Sequence, residues 1–127
     1  MKAYLSDNTG TPGFQTNSVI TISRVPFAIY DVLVYSDGDN LGADRVAQFR
    51  IGNQTNFLRD AAWTSFSGIY RRASGTTDVG TATSAGNFVR FNSIETNQFT
   101  LTVTAGTASD GTRRAAVNAV ESDVIPG

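Results

Sequence analysis

Cysteine and histidine are both absent from the 127-residue sequence. Their absence excludes disulfide bonds, metal sites built from cysteine and histidine, and acid–base catalysis by histidine. Lysine occurs once, as Lys2, and glutamate twice, as Glu95 and Glu121. Because these helix-favouring residues are scarce while serine, threonine and asparagine are abundant, the composition indicates β-structure.

Long apolar runs and an excess of one charge are also missing. No run approaches the roughly 20 apolar residues that cross a bilayer, so we expect no membrane contact. A formal net charge of −1 argues against a nucleic-acid partner, since such proteins usually carry a basic stripe. The length suits one domain with its own core. No signal peptide opens the chain, so the protein is either cytosolic or one module of a longer secreted chain. Because the last residues resemble a linker, we favour the second interpretation, in which residues 1–127 are one domain excised from a longer secreted protein.

Alternation of apolar and polar residues recurs along the chain. Phe99, Leu101 and Val103 alternate with threonines over residues 98–104, which predicts a strand with one buried face. Residues 28–35 are apolar on both faces and predict a central strand, in which Asp31 lies at an edge or is held by a partner. Further strands are expected at 18–23, 46–51, 54–59, 67–72, 87–92 and 113–121, with turns at 7–13, 36–44, 74–86 and 106–111.

Seven or eight short strands at intervals of about 10 residues are typical of β-sandwiches and jelly rolls. The predicted turn at Gly52 and Asn53 joins two of these strands into a hairpin. We therefore expect an all-β, single-domain sandwich of the jelly-roll type with mostly antiparallel strands.

A cluster of oxygen-bearing side chains follows the central strand. Asp37, Asp39 and Asn40 are suitable ligands for a structural calcium ion, and Gly38 permits a sharp turn between them. The same residue types are common in solvated turns that bind no metal. Both interpretations stand, and the turn is favoured from composition alone.

The single tryptophan marks a candidate ligand site. Trp63, extended by Phe66 or Tyr70, would stack against the apolar face of a sugar ring, while Asp60 and Arg71 would bond its hydroxyl groups. The alternative is that Trp63 covers one end of the core, since tryptophan is often highly buried. Paired carboxylates are the only feasible catalytic chemistry, and no pair stands out by spacing, so we expect no enzymatic activity.

Four segments resemble a module that is common in secreted bacterial proteins. They are residues 18–27, 30–39, 86–91 and 113–120. The closing segment is similar to the family pattern Arg-Ala-x-(Val/Ile)-Asn-(Ala/Gly)-(Ile/Val)-Gln, except that Glu121 stands where glutamine is usual. The resemblance, over residues 18–121, implies a galactose-binding-like jelly roll that acts as a carbohydrate-binding module and often carries a structural calcium. It supplies no ligand-binding residues.

Together these observations predict a secreted, non-catalytic carbohydrate-binding module, expected to be a monomer. It would tether a catalytic domain of its parent chain to a plant or algal polysaccharide, of the β-glucan, mannan or xylan type. The alternative is a structural or adhesive sandwich of a bacterial surface protein that binds no sugar, for which we expect a buried Trp63.

Overall fold

The computed structural model describes residues 5–8, 17–38, 41–64, 66–75, 85–111 and 113–124. These residues form strands and connecting loops and contain no helix, so no membrane-spanning helix is found among them. In chain order the strands are β1 (Leu5–Asn8), β2 (Asn17–Ile22), β3 (Tyr30–Tyr35), β4 (Arg45–Ile51), β5 (Gln54–Asp60), β6 (Phe88–Ile94), β7 (Phe99–Ala108), β8 (Arg114–Val117) and β9 (Ala119–Val124).

The strands assemble into antiparallel sheets whose order defines the fold. One sheet has the order β2-β7-β4-β5, a second has the order β6-β3-β9, and β1 pairs with β8. Only Asn118 separates β8 from β9, so these two act as successive halves of one closing strand. The pairs β1–β8, β2–β7, β3–β6 and β4–β5 are therefore nested inside one another. A long hairpin folded over on itself gives this pattern, so the predicted jelly-roll sandwich is confirmed.

Alternating side chains from the facing sheets form the core. Phe99, Leu101 and Val103 of β7 are buried, as their alternation with threonine predicts. Tyr30 of β3 and Phe49 of β4 are also inaccessible to water. Burying side chains of this size contributes roughly 1.5–3 kcal/mol each, which makes this layer the main source of stability.

The outward face of β3 carries a buried acid. Asp31 is 6% exposed, accepts hydrogen bonds from the Arg90 Nε at 2.7 Å and the Ser93 N–H at 2.8 Å, and forms an ion pair with Arg90. Burial alone would raise the pKa of Asp31, but the bonds from Ser93 and Arg90 outweigh it and lower the pKa. β3 is a central strand between β6 and β9, so Asp31 is held by partners and does not lie at an edge.

The predicted hairpin is confirmed. β4 and β5 pair along their length, with Ile51 opposite Gln54. Gly52 has a φ of 57°, which a two-residue hairpin turn requires at its first position and which glycine adopts at little cost.

Four local predictions are wrong. Residues 67–72 form no strand, and only Arg72 makes an isolated bridge to Phe88. β1 occupies the start of the predicted turn at 7–13, β7 continues to Ala108 inside the predicted turn at 106–111, and Asn118 interrupts the predicted strand at 113–121. Short segments with little alternation depend on distant pairing partners, which local sequence does not reveal.

Candidate functional site

A cleft of about 240 Å³ lies at the end of the sandwich where β3 and β5 end and β6 begins. A smaller cavity of about 90 Å³ adjoins it, and the two share Asp37, Phe66 and Asn87 as lining residues. We refer to both depressions together as the end cleft. The residues that line the end cleft also include Tyr35, Arg59, Asp60, Thr64, Tyr70 and Arg71.

One wall of the end cleft is the segment 69–71, which Asn87 fastens to the start of β6. The Asn87 Oδ1 accepts a hydrogen bond from the Arg71 N–H at 2.8 Å, and its Nδ2 donates to the Ile69 carbonyl at 2.9 Å. The Asn87 N–H donates in turn to the Arg71 carbonyl at 2.9 Å. Because the Asn87 side-chain amide forms hydrogen bonds with the backbone of both Ile69 and Arg71, it holds this wall in place. Sequence analysis missed Asn87, because its partners lie 16 to 18 residues away.

The end cleft is also lined by a partly buried carboxyl group, that of Asp60. The Asp60 Oδ2 accepts a hydrogen bond from the Gly38 N–H at 3.0 Å. Burial raises the pKa of Asp60 to about 7, because it disfavours the charged form more than the Gly38 bond favours it, and the negative charge of Asp37 adds to the rise. Asp60 therefore changes charge near neutral pH, which is unusual for an aspartate and common at functional sites.

Asp37 faces the same cleft from the end of β3. Its N–H donates to the Asn118 Oδ1 at 2.6 Å, and the Asn118 N–H donates to the Tyr35 carbonyl at 2.8 Å. Burial also raises the pKa of Asp37. Asn118, which interrupts the closing strand, thus ties the end of β3 to the β8–β9 junction and sets the position of Asp37.

The proposed calcium ligands are only partly placed. Asp39 and Asn40 lie outside the described residues, and Asp37 lies in the end cleft. Within the described part of the chain, no group of three or more acidic side chains is arranged to hold a metal ion. The structural calcium ion stays a prediction from the sequence.

Trp63 is 80% exposed, so it does not cover an end of the core. Its backbone has a φ of 60°, a left-handed conformation that costs a non-glycine residue roughly 1–3 kcal/mol. The Trp63 N–H donates to the Leu41 carbonyl at 2.6 Å, and the indole lies against Gly42, where an added Cβ would be 2.8 Å from Cζ2. The indole therefore packs closely against the backbone at Gly42.

The aromatic rings of Phe66 and Tyr70 extend from the end cleft to the protein surface, next to the ring of Tyr35. The ring centroids of Phe66 and Tyr70 lie 5.1 Å apart, and those of Tyr70 and Tyr35 lie 5.2 Å apart. Phe66 is 41% exposed and Tyr70 58% exposed, whereas Tyr35 is half-buried in β3. An exposed group of aromatic side chains beside a polar depression is typical of a binding surface.

Two guanidinium groups complete the polar lining. Arg71 is exposed at the cleft. The Arg59 Nε is buried without a hydrogen-bond partner, and its Nη1 lies 3.9 Å from the Asp44 carboxylate. The structure thus brings four of the five predicted sugar-binding residues together around the end cleft: Asp60, Phe66, Tyr70 and Arg71. Trp63 does not line it and lies on the adjoining loop.

Comparison with protein-family models, with curated proteins and with solved structures found no match. The assignment of function therefore depends on the geometry of the end cleft and on the sequence resemblance described above.

Proposed function

We propose that the protein is a non-catalytic carbohydrate-binding module that binds a plant or algal polysaccharide of the β-glucan, mannan or xylan type. The observation that carries this proposal is the exposure of Trp63, Phe66 and Tyr70 beside a cleft lined by carboxyl, guanidinium and amide groups. Large exposed apolar side chains grouped on one surface are uncommon unless they contact a partner.

A sugar ring has the chemistry to use both parts of this surface. Its C–H faces are apolar and stack on aromatic rings, while its hydroxyl groups need hydrogen-bonding partners as they leave water. Asp60 and Arg71, which both line the end cleft, supply an acceptor and a donor. Sugar ligands therefore fit better than purely apolar ones, which would leave these groups unpaired.

The size of the end cleft limits what enters it. A volume of about 240 Å³ is below the usual range for pockets that enclose a drug-sized ligand. One sugar unit of a longer chain would occupy the cleft, and neighbouring units would lie across the exposed rings. In this arrangement a monomeric, secreted module would anchor a tethered catalytic domain at the polysaccharide surface and raise its local concentration.

The structural or adhesive alternative predicts a buried Trp63, and the observed exposure of 80% disagrees with it. The strained backbone conformation of Trp63 lowers the stability of the fold, and a purely structural domain would gain nothing in return for that cost. One measurement distinguishes the two functions: a carbohydrate-binding module is retained by a polysaccharide, whereas a structural or adhesive domain is not.

Affinity electrophoresis against β-glucans, mannans and xylans, with and without a calcium chelator, tests the proposal. We expect one class to retard the protein and Trp63→Ala to abolish most of that retardation. Val19→Ala is the matched control, because Val19 is 62% exposed on β2 and lies outside the end cleft. Loss of retardation on chelation would support the calcium prediction. Unchanged retardation of a folded Trp63→Ala protein would contradict the proposed site.

Gly42→Ala is a gentler test of the same site. The added methyl group would lie 2.8 Å from the Trp63 Cζ2, so the indole has to move. We expect weaker retardation and a changed tryptophan fluorescence spectrum with an unaltered far-UV spectrum. Retardation equal to that of the wild type would show that the position of the indole does not matter.

One observation favours a second candidate function. Asp37 and Asp60 line the same cleft and both have raised pKa values, and two carboxyl groups in a cleft are the usual machinery of glycoside hydrolysis. An assay for new reducing ends during incubation with the polysaccharide that retards the protein separates hydrolysis from binding alone. Hydrolysis that Asp60→Asn abolishes would replace the binding module by a glycosidase.

A further inference from the structure

We infer that the bound polysaccharide continues from the end cleft onto the outer face of the β6-β3-β9 sheet, where the hydrogen-bonded side chains of Tyr35 and Glu121 form a second sugar-binding subsite. This inference rests on the proposed function and extends it. It assigns binding residues on the strands as well as on the loops, and it specifies the ligand as a neutral chain of several sugar units.

Aromatic side chains lead from the end cleft onto this sheet face. The ring centroid of Tyr70 lies 5.1 Å from that of Phe66 and 5.2 Å from that of Tyr35. Tyr35 in turn lies 5.9 Å from Phe88, which is opposite it in the register of β3 and β6. Val34, next to Tyr35 in β3, is buried in the core, so Tyr35 points to the outer face. Because Tyr35 also lines the smaller cavity, it belongs both to the end cleft and to the sheet face.

The rings are tilted against one another, so one sugar unit cannot stack on two of them at the same time. The planes of Phe66 and Tyr70 make an angle of 48°, and those of Tyr70 and Tyr35 make an angle of 68°. A sugar presents its flat apolar face to one aromatic plane at a time. Successive units of one chain, each turned relative to the last, match this arrangement. The run of rings therefore favours an oligosaccharide over a single sugar.

A carboxylate is fixed beside the last of these rings. The Tyr35 hydroxyl donates to the Glu121 Oε2 at 2.8 Å, and Glu121 is exposed. In the register of β3 and β9, Tyr35 lies opposite Ala119 and Glu121 lies opposite Leu33. The carboxylate is therefore two residues, or roughly 7 Å, farther from the end cleft. The bond lies at the surface, where water competes with it, so it contributes little to folding but holds the carboxylate in one position.

The Tyr35–Glu121 pair offers acceptors to sugar hydroxyl groups. Tyr35 uses its only hydrogen on Glu121, so its oxygen accepts, as do the carboxylate oxygens. Among the residues that the structure describes, no cation forms an ion pair with Glu121, and Arg90 at the same level of the sheet pairs with Asp31 and Asp123. Hydroxyl groups bond strongly to such a carboxylate, whereas carboxylated or sulfated sugars are repelled. The second subsite therefore suits a neutral chain.

Nuclear magnetic resonance titrations of the whole protein with cellobiose and cellohexaose, and with the corresponding manno- and xylo-oligosaccharides, test the inference. A disaccharide fills the end cleft and reaches the first ring, whereas a hexasaccharide continues to Glu121. We expect the backbone amide signals of Arg71 and Asn87 to shift with both lengths, and those of Leu33 and Glu121 to shift with the hexasaccharide alone. Shifts that stay confined to the end cleft with the hexasaccharide would overturn the inference.

Two variants test the residues of the second subsite. We expect Tyr35→Phe, which keeps the ring, to weaken hexasaccharide binding about two- to tenfold, and Glu121→Ala to weaken it about tenfold, with disaccharide binding unchanged in both. Glu95→Ala is the control, because Glu95 is exposed and follows β6 at the opposite end of β3 from the cleft, and it should behave as the wild type. Equal weakening for both lengths would show a merely structural role and would contradict the inference.

The possible failures are distinguishable. If a hexasaccharide or a polysaccharide binds the wild type and Glu121→Ala equally well, the inference is wrong and the proposed function stands. If a folded wild type binds none of the oligosaccharides, and no polysaccharide retards it, both are wrong.

Discussion

Replacing Asp60 by asparagine removes the charge of a partly buried carboxyl group and should change the pH dependence of folding. The pKa of this carboxyl is raised from 3.8 to about 7 in the folded protein. The folded state therefore binds the proton more tightly than the unfolded chain does, and the protein loses stability as pH rises from about 4 through 7. Asparagine keeps an oxygen that accepts from the Gly38 N–H and carries no charge, so it is the matched substitution.

The size of the effect follows from the pKa difference. A difference of about 3 units at about 1.4 kcal/mol each sets an upper limit of about 4 kcal/mol at alkaline pH. Because the cleft opens to solvent, which screens charge, we expect about 2 to 4 kcal/mol. Asp60→Asn should thus be more stable than the wild type by that amount at about pH 9, and the gain should vanish at about pH 4.

Urea denaturation of both proteins across this pH range measures the difference directly. The difference between the proteins matters more than either curve, since acids such as Asp31, whose pKa is lowered, make the fold less stable as pH falls. Glu95→Gln provides the surface control. A gain in stability for Asp60→Asn that is the same at every pH, or absent above neutral pH, would refute the argument that burial of the charge destabilises the fold.

Two further predictions concern the framework. Phe91 is fully buried in the core, so Phe91→Ala should destabilise the protein by about 3–5 kcal/mol in urea denaturation, and a loss below about 1 kcal/mol would mean that the core collapses around the gap. An added Cβ at Gly86 would lie 2.6 Å from the Arg71 carbonyl oxygen, so Gly86→Ala should push the segment 71–73 away and cost about 1–3 kcal/mol. Unchanged stability and unchanged polysaccharide affinity in that variant would show that this close approach is unimportant.

Most of the strands could be predicted from sequence because their patterns are local. The alternation of apolar and polar residues predicts that Leu101 and Val103 are buried, whatever strand lies beside them. Gly52 predicts the hairpin turn because glycine adopts the positive φ that this turn requires. β1 and the interruption at Asn118 were missed. Both features depend on pairing between the beginning and the end of the chain, with Leu5 opposite Val117.

The candidate site could be predicted only in part. The sequence singled out Trp63 and its neighbours by residue type, and their exposure is a property of the folded loop. The pairing of Asp37 with Asp60 was not predicted, since 22 residues separate Asp60 from Gly38 and nothing in their spacing marks them as partners. Asn87 was missed for the same reason, as its role is to hold the Ile69 and Arg71 backbone.

The sequence by itself determined the all-β class, the faces of the main strands and the exclusion of cysteine and histidine chemistry, because composition and alternation act through neighbouring residues. The tertiary structure decided which strands are neighbours, and with them which side chains share the end cleft. It also decided that Asp60 titrates near neutral pH, because burial and the charge of Asp37 arise only when the ends of β3 and β5 meet.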